Sequence, residues 1–323
     1  MPEATPVFER LGIIGIGLIG SSIARAARKF AAAKTIVATA RSDATRRRAV
    51  ELGLADRVVE TNATAAKDAD CVIICAPVGQ IGAVAAEIGP MLKPGAILSD
   101  AGSVKGMVLR DMAPHVPAHA HLVPAHPVAG TEHSGPDAGF AELFESRWCI
   151  LTPPEGTDQA AVARLKAFWE RLGSNVEVMD AEHHDLVLAI TSHVPHLIAY
   201  NIVGTAADLE TVTRQEVIKY SAGGFRDFTR IAASDPTMWR DIFLQNKKAV
   251  LEMLSRFNED LSVLTRAIRG ADGKTLFDLF SRTRAIRRSI IDLGQETAEP
   301  DFGRRRHENE PSVPLQRPYA SGD

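Results

Sequence analysis

His126 is the residue of this sequence whose position most suggests chemistry. It follows a run at positions 121–124 that is typical of a β-strand. An imidazole changes its charge close to neutral pH, so a histidine at the end of a strand could take a proton from a bound molecule, although it can also be purely structural. Thr131 and Glu132 lie in the glycine-containing loop that follows. Their polar side chains favour the interpretation of His126 as a catalytic base.

Ser103 is a second candidate, because it stands just after the apolar run at 96–100. The loops that follow the strands of an open α/β sheet form its ligand-binding edge. We therefore expect the Ser103 hydroxyl to contact the substrate or the cofactor. The alternative is that Ser103 only caps the helix that begins near Lys105.

His193 and His196 stand three residues apart in an otherwise apolar stretch, so they share one face of a helix. Pro195 removes one backbone hydrogen bond there and loosens the helix. The two histidines could chelate a metal ion, but no nearby Asp, Glu or Cys supplies the other ligands, and we expect no metal. Binding of a polar ligand is the functional interpretation, and a buried core position is the alternative for His193.

Arg226 and Arg230 follow Gly223 and Gly224 and stand four residues apart. Two guanidinium groups on one helical face suit carboxylate recognition, because each can form two parallel hydrogen bonds. Solvent-exposed charges explain most such pairs. Phe228 and its apolar neighbours predict that Arg230 is buried, which favours a binding role for it.

Gly15, Gly17 and Gly20 have the G-x-G-x-x-G spacing and stand between a predicted strand and a predicted helix. Glycine at these positions permits a tight turn, close approach of a diphosphate to the backbone and close packing of the helix on the strand. The start of the helix also attracts negative charge. We predict a dinucleotide site formed by these glycines together with Leu18 and Ile19.

The residue type about 20 positions after this turn indicates which dinucleotide is bound. An acidic side chain there accepts hydrogen bonds from the ribose of NAD, but this chain has Ala40-Arg41-Ser42. Arg41, alone or with Arg46 or Arg47, could pair with the 2′-phosphate of NADP. The sequence therefore favours NADP. The alternative is NAD, with Arg41 stacked on the adenine and Asp43 replacing the missing acid.

Short apolar runs alternate with longer amphipathic stretches from residue 11 to about residue 180. This alternation indicates a largely parallel sheet covered by helices, which is an α/β Rossmann-like dinucleotide-binding domain over residues 1–180. The predicted strands lie at 11–16, 35–39, 71–75, 96–100, 121–124, 148–152 and 176–179.

The strand signals stop at residue 181, and apolar residues at helical spacing predict an all-α domain over residues 181–297. Asp235 and Pro236 form a helix start, from which one helix is expected to reach about residue 269. A last helix is expected over 274–293. Residues 298–323 contain four prolines and no hydrophobic period, which predicts a disordered tail.

The composition is that of an ordinary globular protein, with 323 residues, 45% hydrophobic and 24% charged. A net charge of −3 provides no positive field for nucleic acid or an anionic membrane, so we expect a small-molecule substrate. The three cysteines, all in predicted strands, indicate a reducing compartment. We find no signal peptide and no run approaching the ~20 apolar residues of a spanning helix, and we expect a cytoplasmic protein.

Five stretches together resemble, in order and spacing, the prephenate/arogenate (cyclohexadienyl) dehydrogenase family of tyrosine biosynthesis. They are the glycine turn, Asp100-x-x-Ser103-Val104-Lys105, His126-Pro127-x-x-Gly130-Thr131-Glu132-x-Ser134-Gly135, Ser192-His193-x-Pro195-His196, and Gly224-Phe225-Arg226-Asp227-Phe228-Thr229-Arg230 through Asp235-Pro236-x-x-Trp239. The resemblance covers residues 11–293. It implies hydride transfer from ring carbon C4 of prephenate or arogenate to NAD(P) with loss of carbon dioxide, by a homodimer joined through the helical domain.

The resemblance also implies roles for single residues. His126 is the base for the ring hydroxyl, Ser103 orients both groups, and Arg230 binds a substrate carboxylate with Glu132 near it as an ionic gate. The substrate-binding residues that it implies are Arg230, His196, Thr131, Glu132 and Trp239, the last reaching from the neighbouring subunit. The expected cofactor contacts outside the glycine turn are Arg41, Ser42 and Ser103.

Two other classes of protein join a dinucleotide-binding domain to a helical one. The β-hydroxyacid dehydrogenase and imine reductase group is one, but its hydroxyacid enzymes use a lysine in the first long helix of the second domain, and residues 181–206 contain none. A non-catalytic NADP-binding sensor is the other, and it would not need a base beside a carboxylate-binding arginine.

Overall fold

A six-stranded parallel sheet forms the centre of the N-terminal half. Its strands are β1 Phe8–Ile14, β2 Ala33–Thr39, β3 Arg57–Val59, β4 Cys71–Ile74, β5 Ile97–Asp100 and β6 His121–Leu122, in the order β3-β2-β1-β4-β5-β6. The computed structural model describes residues 5–131, 133–208, 216, 220 and 223–292. Glu132 and the predicted tail at 298–323 lie outside the described residues.

Five helices connect these strands, as parallel pairing requires. They are α1 Leu18–Lys29, α2 Asp43–Glu51, α3 Asn62–Ala66, α4 Ile81–Ile88 and α5 Lys105–Met112. Alternate residues of β1 enter different apolar clusters: Leu11 and Ile13 pack with Phe168 and Trp169, whereas Ile14 packs with Val78. Both faces of the sheet are therefore covered, which explains the almost continuous apolar strands and confirms the predicted Rossmann-like class.

A second, three-stranded sheet was not predicted. It consists of β7 Ala125–Pro127, β8 Trp148–Leu151 and β9 Asn175–Val178, with β7 antiparallel to β8 and β9 parallel to it. The chain leaves the first sheet at Val123, whose N–H still donates to Leu98, and Pro124 has no N–H with which to continue that ladder. His126 therefore lies within a strand of the second sheet, rather than beyond the end of a strand of the first.

The C-terminal half is helical, as predicted. After α6 Gln159–Arg171 of the first half come α7 Ala181–Leu188, a π-helical turn at Ala189–His193, and α8 Val194–Ala207 with Pro195 in its first turn. The later helices are α9 Gly223–Thr229, α10 Pro236–Gln245, α11 Lys247–Arg269 and α12 Gly273–Asp292.

The single helix expected from Asp235 to about residue 269 is two helices. Asp235 does cap α10, because its Oδ1 accepts from Met238 N at 2.8 Å. The break comes at Asn246, where the backbone leaves the helical region and the amide Nδ2 donates to the carbonyl of Asp185 at 2.8 Å. This buried tertiary bond has no signature in the local sequence.

One helical run among the described residues, Ala181–Ala207, is long and apolar enough by composition to cross a membrane, with a mean hydropathy of 1.5. This differs from the expectation that no such run exists. The helix also carries His184, Asp185 and His193, which are buried and hydrogen-bonded to other parts of the chain. Those bonds are typical of polar side chains packed inside a protein, although only 28% of the apolar stretch is buried.

The internal contacts divide the chain into two compact units, Met1–Ser255 and Arg256–Asp323. The first unit contains both sheets and helices α1 to α10, together with the start of α11. The described part of the second unit consists of the end of α11 and of α12. All the candidate site residues that the structure describes lie in the first unit.

Candidate active site

The glycine turn after β1 forms a cradle that a dinucleotide would fit. Gly15 has φ +100°, and a Cβ there would lie 2.6 Å from the carbonyl oxygen of Cys75. A Cβ on Gly20 would collide with the carbonyl oxygen of Gly15, whereas a Cβ on Gly17 would meet no atom within 4 Å. Gly17 also occupies the cap position before α1, and no side chain caps that helix. The space above Gly17 and the uncapped helix start together suit a diphosphate.

The polar residues after β2 differ in whether they already form hydrogen bonds or ion pairs within the chain. Arg46 donates from Nη1 to the carbonyl oxygens of Ala40 at 2.7 Å and Arg41 at 3.1 Å, so it holds the turn. Arg47 pairs with Asp43 at 2.9 Å, and Ser42 caps α2. Arg41 is exposed, and no carboxylate pairs with it among the described residues.

His126 is buried in β7 at 7% exposure and belongs to a chain of hydrogen-bonded side chains. Its Nδ1 lies 2.8 Å from Nε2 of His184, and Nδ1 of His184 lies 2.8 Å from Oδ1 of Asp185. The Asp185 carboxylate also accepts from the backbone N–H groups of Lys105 at 2.7 Å and Gly106 at 2.9 Å. A single carboxylate therefore connects the start of α5 to His126.

His184 and Asp185 were missed by reasoning from the sequence. Their signal is the polar group His183-His184-Asp185 in the first turns of a helix that is otherwise apolar. His184 is fully buried, although a polar residue near a helix start is usually exposed. Its partner His126 lies 58 positions earlier in the chain, so no local pattern connects the two.

A buried ion pair holds the strand that carries His126. Lys105 and Asp100 are both fully buried, and Lys105 Nζ lies 2.5 Å from Asp100 Oδ2. Lys105 Nζ also donates to the carbonyl oxygen of Ala125 at 2.8 Å, and Ala125 N donates to Asp100 Oδ1 at 3.2 Å. The residue before His126 is thus held through both its backbone groups by the end of β5 and the start of α5.

Ser103 is half-buried in the loop between β5 and α5, at the carboxyl edge of the sheet. The alternative that Ser103 caps α5 is wrong. Val104 occupies the cap position, no side chain caps the helix from there, and Asp185 takes the N–H groups of Lys105 and Gly106 instead. The Ser103 hydroxyl is therefore not needed to begin the helix.

His193 and His196 both contact Trp239, which was expected to reach a site in the neighbouring subunit. The His196 ring stacks on the indole of its own chain, with ring centroids 3.6 Å apart, and the His193 ring meets it edge-on at 6.0 Å. Trp239 is 6% exposed, so the expectation that it reaches across to a neighbour is corrected. Trp239 is buried because it packs in an apolar cluster of its own chain that also contains Ile81.

The two histidines are held differently. His196 Nδ1 donates to the carbonyl oxygen of Ser192 at 2.8 Å. The ring nitrogen of His196 that a ligand could contact is therefore Nε2. His193 is fully buried, and its Nδ1 lies 3.1 Å from the Asn246 amide. Burial lowers the pKa of His193 to about 4. His193 therefore occupies the core position that was its alternative interpretation.

Arg230 is exposed, contrary to the expectation that it is buried. It begins a short 3₁₀ turn after α9, and Phe228 beside it is 42% exposed. The reason is that α9 is a seven-residue helix without a fully buried side chain. The positive charge of Arg230 still lies close enough to lower the pKa of His196, after the larger effect of burial. Thr131 is half-buried, and its Oγ1 accepts from His133 N at 3.2 Å.

Electrostatics keep the His126 imidazole neutral. Burial lowers its pKa well below the usual 6.5, and the neighbouring His184, Lys105 and His193 lower it further. Burial also lowers the pKa of His184, against the opposing effect of Asp185. A neutral imidazole retains one lone pair and can accept a proton, so the site holds a base and not a permanent cation.

Comparison with known proteins shows to which family the chain is related. The model for the prephenate dehydrogenase nucleotide-binding domain matches residues 23–178, and the model for the prephenate dehydrogenase dimerization domain matches residues 180–282. A cyclohexadienyl dehydrogenase of Zymomonas mobilis is 44% identical over 88% of this chain and 97% of its own length. A prephenate dehydrogenase of Bacillus subtilis is 34% identical over 90% of this chain and 78% of its own.

Solved structures agree with the sequence matches. The structure of prephenate dehydrogenase from A. aeolicus in complex with hydroxyphenyl propionate and NAD+ is 33% identical, with a TM-score of 0.81 over 90% of this chain and 100% of that chain. Synechocystis arogenate dehydrogenase is 26% identical, with a TM-score of 0.74 over 87% of this chain and 99% of that chain. Matches of this identity and coverage, over both family models, show that the chain belongs to the prephenate dehydrogenase family.

Proposed function

We propose that this chain oxidises and decarboxylates prephenate, arogenate or both, giving 4-hydroxyphenylpyruvate or tyrosine. The observation that carries the proposal is the buried His126, whose lowered pKa keeps the ring neutral and whose Nδ1 is hydrogen-bonded to His184. The same chain has a glycine turn after β1 that fits a dinucleotide. Relatives named for each of the two substrates match most of the chain.

The reaction needs a base to take the proton of the ring hydroxyl. Both substrates carry a hydroxyl on ring carbon C4 and a carboxylate on the opposite ring carbon, and NAD(P), when bound, accepts the hydride from C4. His126 takes the hydroxyl proton at Nε2, and the electrons released from the O–H bond help to expel the hydride. Loss of carbon dioxide then leaves an aromatic ring. Ser103 orients the hydroxyl toward His126.

Substrate recognition is assigned to the helical half. Arg230 binds a carboxylate, for which its planar guanidinium offers two parallel N–H groups. Its exposed turn lies within electrostatic reach of His196, whose ring is fixed on Trp239 and whose Nε2 contacts substrate. Thr131 and Glu132 follow His126 along the chain. Their role beside the substrate, and that of Glu132 as an ionic gate, follow from the family resemblance.

NADP is the proposed cofactor, with Arg41 pairing with the 2′-phosphate. The support is that Arg41 is exposed after β2, whereas Arg46 and Arg47 already have partners. Arg41→Ala should lower kcat/KM for NADP by about 10- to 100-fold, as expected for a lost charge-assisted hydrogen bond, and leave kcat/KM for NAD unchanged. The exposed Arg57→Ala is the matched control. Equal effects on both cofactors would contradict the assignment.

We also propose that residues 181–297 join two copies of the chain, in the cytoplasm and without nucleic acid or membrane. Large apolar side chains lie exposed on α11 and α12, which is costly unless a partner covers them. They are Leu261, Val263, Ile268, Phe277, Phe280 and Ile286. Light scattering of the purified chain should give twice the 34.8 kDa of one copy, and a monomer would contradict the proposal.

Steady-state turnover tests the function directly. The purified chain is assayed with prephenate and with arogenate, each with NAD and with NADP, and reduced nicotinamide is followed. Activity in any combination establishes the reaction, and the ratios of kcat/KM give both specificities. Absence of turnover in all four, with dinucleotide binding demonstrated by calorimetry, would exclude the function.

A further inference from the structure

We infer that Asp185 and His184 are positioning residues that hold His126 in the tautomer with its proton on Nδ1, so that the Nε2 lone pair faces the substrate. The inference rests on the proposed role of His126 as the base. Neither residue belongs to the motifs that pointed to the family. The carrying observation is an unbroken series of hydrogen bonds from Asp185 to His126.

The first step concerns the direction of the bond between Asp185 and His184. An ionised carboxylate is an acceptor with no proton to give. The Asp185 carboxylate already accepts from the N–H groups of Lys105 and Gly106, at the start of α5, where negative charge is favoured. Nδ1 of His184, 2.8 Å from Oδ1, must therefore be the donor.

The second step transfers this constraint to His126. A neutral imidazole that carries its proton on Nδ1 has a lone pair on Nε2. His184 is fully buried and therefore favours the neutral form, so its Nε2 accepts the hydrogen bond from Nδ1 of His126 at 2.8 Å. With its proton on Nδ1, His126 has its lone pair on Nε2, which is the atom left for substrate.

The charges around the two rings agree with this assignment. Lys105, paired with Asp100, lies close enough to both imidazoles to oppose a second positive charge on either. The other titratable groups that face them are His193, the thiol of Cys149 and Asp185 itself. When His126 gains the substrate proton, its new positive charge is stabilised through His184 by the Asp185 carboxylate.

The tautomer can be observed without any turnover. Protein labelled with ¹⁵N-histidine gives separate nitrogen signals for protonated and unprotonated ring nitrogens, and His126→Asn identifies the signals of His126. We expect a protonated Nδ1 and an unprotonated Nε2 at neutral pH. The reverse pattern in the unmodified chain would overturn the inference, whichever substrate the enzyme uses.

Two replacements of His184 test its role in the reaction. His184→Gln keeps a carbonyl that can accept from Nδ1 of His126, whereas His184→Phe keeps the ring volume and removes the acceptor. We expect kcat to fall by about 10- to 100-fold in the Phe variant and less than about tenfold in the Gln variant, within the range that a general base contributes. Substrate KM and the melting temperature should change alike in both. Equal kcat in the two variants would overturn the inference.

Asp185→Asn tests the start of the series. If its amide NH₂ faces His184, both imidazoles must reverse, and the nitrogen spectrum should show the His126 proton on Nε2, with a large loss of kcat. In serine proteases the corresponding change lowers kcat by about 10⁴-fold. A reversed tautomer in a folded variant whose kcat equals that of the unmodified chain would overturn the role of Asp185. If the variant does not fold, the spectrum of the unmodified chain and the His184 variants decide the inference.

Discussion

The side chain on which the account depends at the scale of single residues is His126. Its burial costs little because the ring is neutral and its Nδ1 is hydrogen-bonded to His184. Desolvation and nearby positive charge act in the same direction, so the base remains unprotonated at neutral pH. If His126 had the ordinary pKa of 6.5, part of it would already be protonated just below pH 7, and the enzyme would lose activity there.

The pH dependence of kcat/KM follows from this shift. His126 must be unprotonated to accept the hydroxyl proton, so activity falls as pH decreases through its pKa. Because that pKa is lowered, we expect the acidic limb of the profile well below pH 6.5. Stopped assays over a series of buffers, with His126→Asn as the variant that lacks the limb, measure it. A limb centred at or above pH 6.5 would contradict the assignment.

Arg230 gives a second prediction for a single residue. Arg230→Gln should raise the KM for prephenate or arogenate by about 10- to 100-fold with a smaller change in kcat, because a carboxylate contact made in both the ground and transition states is removed. Arg226→Gln is the matched control, since Arg226 is an exposed arginine of the preceding helix. A rise confined to the KM of the dinucleotide would refute the role.

The sequence predicted candidate site residues that stand beside turn motifs, and it missed those whose partners are distant in the chain. His126 and Ser103 were predicted because each follows an apolar run in the sequence, and the glycine turn because its spacing is fixed by backbone geometry. His184 could not, because its importance arises from a partner 58 positions away. The exposure of Arg230 was also missed, because aromatic neighbours in sequence do not show which side of a short helix is covered.

At the scale of elements, the loop from β5 to α5 is held by buried charges. Asp100 at the end of β5 and Lys105 at the start of α5 form a pair with no solvent exposure. Removing one member of a buried pair leaves an uncompensated charge, which costs far more than the pair itself contributes. The same lysine also holds Ala125, so this pair fixes the position of β7.

Lys105→Met should therefore reduce the free energy of unfolding by about 3–5 kcal/mol. The control is Lys93→Met, which removes a partly exposed pair with Asp70 at 2.7 Å and should cost at most about 1 kcal/mol. Urea unfolding at one protein concentration measures both. Similar small losses in the two variants would show that the buried pair is not important for stability.

The predicted elements were correct where local pattern decides and wrong where tertiary contacts decide. The apolar strands β1, β2, β4 and β5 could be predicted because a helix-covered parallel sheet needs them. The second sheet could not, because Pro124 can end a ladder but does not indicate with which strand the chain pairs next. The break at Asn246 likewise depends on a bond to Asp185.

At the scale of the whole molecule, composition alone predicted the class of partner but not every boundary. A net charge of −3 fits a small-molecule enzyme. The helical run Ala181–Ala207 is apolar enough by composition to cross a membrane, yet its His184 and Asp185 are buried and belong to the hydrogen-bonded series that reaches His126. The family models match residues 23–178 and 180–282, and leave the last part of the chain outside.

Deleting residues 298–323 should leave the melting temperature and kcat/KM nearly unchanged. These residues lie beyond both family matches and lack the apolar period that a packed element needs. Thermal unfolding and turnover of the shortened chain beside the full chain provide the test. A large loss of either would show that the tail belongs to the folded enzyme.

The central claim is that a neutral His126 removes the hydroxyl proton as hydride leaves the ring. The most direct measurement is kcat of His126→Asn beside the unmodified chain, with melting temperature and dinucleotide affinity measured on the same samples. The account predicts that kcat falls by roughly 10²- to 10⁴-fold, while the fold and the dinucleotide affinity are retained. Turnover equal to that of the unmodified chain would contradict it.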